Sequence, residues 1–226
     1  MCGRFTLTVE PGEVAEAFFA DLSPALAGHE PRYNIAPTED APVVIAAGEG
    51  RRTGPMRWGL VPHWADSPRA GARMINARSE TAAVRNAFRE SFRARRCLVP
   101  ADGFYEWETR ADGKQPYRIH RPGSALFAMA GIWAVWRGDG GAPLATFAIL
   151  TRDAPAPIRW LHHRVPVILP EPRWTDWLAR GTAPGTLRAI LAGCDPPELR
   201  VHPVARAVNR AGYNEPDCIE EVDLGR

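Results

Sequence analysis

The stretch Ala125-Leu126-Phe127-Ala128-Met129-Ala130-Gly131-Ile132-Trp133-Ala134-Val135-Trp136 decides how the rest of the chain is read. It is the longest apolar run, it falls short of the ~20 residues a membrane span requires, and it reads as a buried strand. Strand-like segments lie on both sides of it: Cys97 to Val99, Phe104 to Glu108 and Tyr117 to His120 before, Ala145 to Thr151, Val165 to Leu169 and Leu199 to Val204 after. Nearer the start, Arg4 to Val9 alternates, and Pro42 to Ala47 and Pro55 to Leu60 also read as strands. Tyr33 to Thr38 reads as a loop. Helices are expected at Pro11 to Phe19, at Arg173 to Ala179, at Thr186 to Ala192, and at Glu80 to Arg93, where Val84, Phe88 and Phe92 form one stripe with Arg85, Arg89 and Arg93 beside it. Many strands with few intervening helices point to an α+β protein with a largely antiparallel, barrel-like sheet core and peripheral helices.

Composition sets the outer limits. The 226 residues are 45% hydrophobic, enough for a substantial core, and read as one domain over residues 1–226. Proline and glycine are spread evenly, so neither a linker nor an internal repeat is signalled. The first twenty residues carry Arg4, Glu10, Glu13 and Glu16 where a secretory signal needs an unbroken apolar stretch. The four cysteines, at 2, 97, 194 and 218, form no close pair, so no zinc site, disulfide framework or cofactor is expected. A soluble, cytoplasmic protein follows from this reading.

Charge is distributed unevenly. Residues 51–96 hold eleven arginines against Asp66, Glu80 and Glu90, a net +8, whereas residues 1–50 hold two arginines against eight acids, a net −6. A concentrated arginine segment suits phosphate binding. Arginine supplies 27 of the 28 basic residues, so a compositional bias of the coding sequence is an alternative source of the count, though not of the clustering.

Cys2 adds a distinct chemistry. Once Met1 is removed, it carries an α-amine and a thiol on adjacent carbons. Such a 1,2-aminothiol condenses with an aldehyde, the amine forming a Schiff base and the thiol closing a thiazolidine ring. The α-amine has a reference pKa of about 7.7–8.0, against about 10.4 for lysine, so part of it is nucleophilic near neutrality.

Five stretches dense in reactive residues lie far apart: Met1 to Phe5, Tyr33 to Thr38, Asn76-Ala77-Arg78-Ser79-Glu80-Thr81, Ala101-Asp102-Gly103-Phe104-Tyr105-Glu106-Trp107, and His162-His163-Arg164-Val165-Pro166. Together they resemble the SRAP (SOS response-associated peptidase) domain family, in order and over essentially the whole chain; Trp58 to Trp64 and Thr151 also match. The resemblance implies the SRAP fold and a covalent link, through Cys2, to abasic sites in single-stranded DNA, including junctions with duplex. It places Asn76, Glu106 and His162 around the cysteine. There Glu106 can relay protons, His162 can donate or accept at the sugar oxygen, and Asn76 can orient the amine or a sugar hydroxyl. The spacing of the last motif selects His162 over His163. Val165 stands where the family more often has methionine, a change confined to packing.

DNA contacts are expected from Arg4, Arg78, Arg73, Arg85 and Arg89 to phosphates, with Thr151 carried over by position. Pro37, Trp58 and Trp64 are expected to form an apolar platform for an unstacked base, with core packing an equal alternative for Trp64. Cys97, Cys194 and Cys218 read as small apolar residues. The chain is expected to be a monomer, nucleoid-associated when bound to damaged DNA. Competing readings are a cysteine peptidase with His162 as base, limited to self-cleavage, and a non-covalent single-stranded DNA binding module.

Overall fold

The protein is described by a computed structural model covering residues 2–138, 142–195 and 197–225. Its first part runs β1 (Phe5–Leu7), α1 (Pro11–Ala17), β2 (Asp21–Leu22), β3 (Arg32–Ile35), β4 (Asp40–Ala47) and β5 (Gly50–Trp58). The centre holds β6 (Asn76–Arg78), α2 (Arg89–Ala94), β7 (Arg96–Ala101), β8 (Gly103–Arg110), β9 (Gly113–His120), β10 (Phe127–Trp136) and β11 (Leu144–Asp153). Then follow α3 (Ala156–Arg159), β12 (Arg164–Pro166), β13 (Ile168–Leu169), α4 (Trp174–Leu178), α5 (Pro184–Ala192) and β14 (Arg200–Pro203).

The long apolar run is β10, and its first six residues are buried. It pairs with β7 on one edge and β11 on the other, so both its faces and its backbone are enclosed. β7 pairs with β4 and β4 with β5, all antiparallel. A parallel pairing of β5 with β11, Arg57 opposite Thr146 and Trp58 opposite Phe147, closes the ring into a five-stranded barrel. The β4–β5 hairpin turns at Gly48, whose φ of +57° suits the first position of a two-residue loop. A second, antiparallel sheet has the order β14-β9-β8-β1-β3, and the apolar core lies largely between it and the barrel.

Trp58 joins the two layers. It is fully buried, meets Phe5 edge-on at 5.1 Å and lies parallel to Phe147 at 6.4 Å, and its indole N–H donates to the Ile75 carbonyl at 2.9 Å. Truncating such a side chain costs about 3–5 kcal/mol. The residue expected to form a base platform is therefore a core residue, since both ring faces and its donor are already used. Immediately after it the chain crosses itself: a Cβ on Gly71 would stand 2.3 Å from the Gly59 carbonyl oxygen, and Gly59 has φ +126°. Only glycines let the two backbones approach this closely.

Two local expectations change. The helix expected from Glu80 to Arg93 is confined to Arg89–Ala94, and residues 79–88 form linked turns with single bonds such as Arg85 N–H to Thr81 O at 3.0 Å. Extended pairing of β6 with β11 runs up to Arg78, and Glu80 is tied to Arg164, so tertiary ties override helical periodicity. Val84, placed on the apolar stripe, is 67% exposed. The stretch expected as a loop at Tyr33 to Thr38 begins as β3, with Ile35 opposite Phe5. Its asparagine is no turn signal: buried Asn34 donates to the carbonyls of Val208, Arg210 and Tyr213 and accepts from Arg4 Nη1 at 2.9 Å. The other expected strands and helices form with boundaries shifted by a few residues.

A buried ion pair braces the second sheet. Asp102, fully buried, accepts from the hydroxyl of Thr6, from the amide and hydroxyl of Thr8, and from Arg118 Nη2 at 3.1 Å. This ties β1, β8 and β9 together just beyond Cys2.

Candidate functional site

The end of β11 acts as a fork. On one edge Ile149, Leu150 and Thr151 pair in parallel with Asn76, Ala77 and Arg78 of β6; on the other, Thr151, Arg152 and Asp153 pair with Pro166, Val165 and Arg164 of β12. Arg164 locks the two flanks across that end. Its Nη1 and Nη2 each donate to one carboxylate oxygen of Glu80 at 2.8 Å, Nη1 also donates to Asp153 Oδ1 at 2.7 Å, and Nη2 reaches the Thr151 carbonyl. The bidentate geometry fixes angle as well as distance. Asn76 and His162, held on opposite flanks, are thereby aimed at one place. Thr151, expected as a DNA contact, is fully buried inside this clamp and serves the frame.

Across from the fork, β1 delivers Cys2 and β8 delivers Glu106. Phe5 pairs with Phe104, and Tyr105 N–H donates to the Arg4 carbonyl at 3.0 Å, which carries the chain start alongside Glu106. Asn76 Nδ2 donates to the Cys2 carbonyl at 2.7 Å. A carbonyl only accepts, so the amide must present its NH2 there and its Oδ1 elsewhere; that oxygen is buried without a partner among the described residues. His162 Nδ1 faces the Arg164 backbone, 2.9 Å from its nitrogen and 3.2 Å from its carbonyl oxygen, and stands 3.9 Å from Glu106 Oε1. The four residues named from the sequence do come together.

Burial governs their protonation. Glu106 is 3% exposed, and desolvation pushes its carboxyl up to about 7, with the positive chain terminus opposing. Both of its forms are thus populated near neutrality. Burial, reinforced by Glu106, raises the Cys2 thiol far above its ordinary value and keeps it protonated. Burial lowers His162, with neighbouring positive charge adding to the shift, so its ring is neutral. Such an arrangement favours an amine as first nucleophile, with the thiol following once its proton has somewhere to go. Met1, whose removal frees that amine, lies outside the described residues.

From Asn76 a groove of about 720 Å³ opens along the β6 flank, lined by Trp64, Arg73, Arg78 and Arg85 among others. The three arginines are exposed, and Trp64 is 55% exposed, so of its two readings the surface one is found. Arg89 is exposed but lies outside this groove, beside Arg93 and Phe92. Arg4 is half-buried, donating through Nη1 to Asn34 and to the Val208 carbonyl at 2.9 Å. Pro37 is half-buried in the turn after β3. Among the described residues no three His, Cys, Asp or Glu side chains gather as metal ligands, and no helix is long and apolar enough to cross a membrane.

Residues 1–211 match the family described as SOS response associated peptidase (SRAP). The chain belongs to the SRAP family. The abasic site processing protein YoqW of Bacillus subtilis (strain 168) is 38% identical over 223 residues, covering 97% of this chain and 99% of its own. The abasic site processing protein HMCES of Xenopus tropicalis is 30% identical over 266 residues, covering 99% of this chain and 79% of its own. Among solved structures, a Bacteroides thetaiotaomicron protein at 22% identity shares the fold, with a TM-score of 0.84 over 98% of this chain and 100% of its own. A phage-related protein of Bordetella bronchiseptica gives a TM-score of 0.72 at 30% identity, covering 91% and 95%.

Within this SRAP chain the residues that build the site outnumber those that the motifs single out. Arg164 and Glu80 stand inside two of the quoted stretches, and their opposite charges were the available signal of a pairing. Asn34 and Asp102 also stand inside quoted stretches, but their partners Val208, Arg210, Tyr213 and Arg118 do not, so those contacts show only in three dimensions. His163 is exposed and stacks on His162 at 4.4 Å, and Cys97, Cys194 and Cys218 are buried free thiols.

Proposed function

We propose that this SRAP protein processes abasic sites in single-stranded DNA, including junctions with duplex, by covalent capture through Cys2 after Met1 is removed. The convergence of Cys2, Asn76, Glu106 and His162 at the head of an arginine-lined groove is the observation that supports this most. An abasic deoxyribose opens to an aldehyde. The α-amine adds to its carbon, the carbinolamine loses one water to give an imine, and the thiol adds to the imine carbon while its proton passes to nitrogen. The net product is a thiazolidine with loss of one water. Glu106, half-ionised near pH 7, can take the amine proton and return it to the departing hydroxyl. His162 can donate to the ring oxygen as the sugar opens, and Asn76 Oδ1, with no partner among the described residues, can accept a sugar hydroxyl.

Arg73, Arg78 and Arg85 hold the strand by its phosphates without reading sequence, and Trp64 offers a stacking face. The protein acts as a monomer in the cytoplasm, on the nucleoid when damaged DNA is bound. The imine is also the intermediate of a lyase-type strand cleavage, which ring closure by the thiol competes against. Self-cleavage by Cys2 as a peptidase nucleophile is disfavoured by the same burial that keeps its thiol protonated. Intact mass spectrometry of protein mixed with an oligonucleotide carrying one abasic site tests the proposal. A species lacking Met1 and equal to protein plus DNA minus water, absent in Cys2→Ala, is expected; unmodified protein that still binds would leave only non-covalent binding.

A further inference from the structure

Five large apolar side chains are more than two-fifths exposed among the described residues, and one of them, Trp160 at 57%, lies beside the reactive centre but outside the groove. It follows α3, two residues before His162. The turn that carries it is anchored, since Ile158 and Leu161 on either side are buried. Its indole meets Tyr117 edge-on, centroids 5.3 Å apart at 89°. Tyr117 is itself fixed: its hydroxyl donates to Glu108 Oε2 at 3.0 Å and accepts from Arg110 Nη2 at 2.8 Å. In the β8–β9 ladder Tyr117 stands directly opposite Glu106, so the two side chains share one face of the sheet. Trp160 thus caps a residue adjoining the carboxyl at the centre of the site.

Its flank matters as much as its exposure. The groove is built on β6, along one edge of β11, while Trp160 precedes β12 on the other edge. A strand whose sugar enters between Asn76 and His162 has one arm over Arg73, Arg78 and Arg85. Its other arm leaves past Trp160. Exposed Arg159, held by its bonds to the Ala154 carbonyl, immediately precedes Trp160 in the chain, and exposed His163 follows three residues on. A rigid, open aromatic face with an arginine beside it matches a nucleotide, with a base for the ring and a phosphate for the charge, better than it matches an apolar protein surface.

We infer that the free face of Trp160 is a stacking site for the nucleobase adjoining the abasic position, on the flank opposite the arginine groove. The inference rests on the abasic-strand reading above and adds to it a second point of purchase. With the strand held on both flanks, the sugar between them is held against the aminothiol.

The test uses a single-stranded oligonucleotide with a tetrahydrofuran abasic analogue, which has no aldehyde and cannot be captured, and 2-aminopurine placed immediately 5′ or 3′ of it. Quenching of the 2-aminopurine is expected on one of the two sides with wild-type protein, lost in Trp160→Ala and largely kept in Trp160→Phe. The Kd should rise about tenfold in Trp160→Ala. Quenching and Kd unchanged in Trp160→Ala at saturating protein would overturn the inference, as would light scattering that shows wild-type dimers dissolving into monomers on substitution, since the face would then pair two copies. Covalent capture is scored separately with wild-type protein and an aldehyde-bearing strand; its absence alongside Trp160-dependent quenching would count against covalent capture alone.

Discussion

Replacing Glu106 by glutamine should make the protein more stable and less active, and the size of the first effect follows from the site. Burial moves the carboxyl from 4.5 to about 7. Between those values the folded protein holds a proton that the unfolded chain has lost, so stability falls as pH rises through the window. The ~2.5-unit shift corresponds to about 3 kcal/mol, fully lost above pH 7. Glutamine has no proton to lose and keeps the same shape. Relative to wild type, Glu106→Gln should gain nothing near pH 4.5 and about 3 kcal/mol by pH 8.5, a rise in Tm of about 6–12 °C for a chain of this size. Denaturant melts at half-unit steps from pH 5 to pH 8.5 measure the difference. In single-turnover capture of an abasic strand, the wild-type rate should bend near pH 7, and the variant should be at least about 100-fold slower, keeping only the bend of the amine at about 7.7–8.0. Parallel stability curves for the two proteins across that range would refute the reasoning, because they would mean that Glu106 is not strained by ionising where it sits.

Asp102→Ala leaves the buried Arg118 guanidinium without its counter-charge and should cost about 3–5 kcal/mol in denaturant unfolding, whereas Glu16→Gln on the exposed side of α1 should cost almost nothing. Gly71→Ala drives a methyl against the Gly59 carbonyl and should lower stability by about 1–3 kcal/mol, read as a Tm decrease. Arg164→Met frees Glu80 and Asp153 and uncouples the two flanks of β11. Capture should slow more than DNA affinity falls, a separation seen by comparing saturating rate with Kd. Neutralising Arg73, Arg78 or Arg85 singly should reduce the slope of log affinity against log salt by about 0.7 for each lost single-strand phosphate contact, with the rate at saturating DNA preserved.

The barrel was legible because its strands are long and enclosed. A run such as Phe127–Trp136 has to be buried whatever surrounds it, and burial at that length means strand. β3 and β6 escaped notice because they are short, carry asparagine, and exist only through partners 25 or more residues away, such as Phe5 for Ile35 and Ile149 for Asn76. The 80–93 segment shows the opposite failure: its helical periodicity is real, yet the Glu80–Arg164 clamp and the pull of β11 settle its course. At the site, Cys2, Asn76, Glu106 and His162 were found through motif resemblance, and the arginine groove through clustered charge. Trp58 was misjudged because an aromatic beside a basic segment looks the same in sequence whether it faces solvent or core.

The complete burial of Cys2 has a consequence in time. Its surroundings are supplied by β6, β8 and the segment before β12, so the enclosure cannot exist until the ribosome has made some 160 more residues. At ~5–20 residues per second that leaves on the order of 8–30 s during which the chain start has none of those partners. An aminopeptidase that trims Met1 in that interval works on a chain start that has none of those partners. On the capture reading proposed above, trimming during synthesis is what supplies the amine, and Cys2 takes up its buried position only when the barrel shuts.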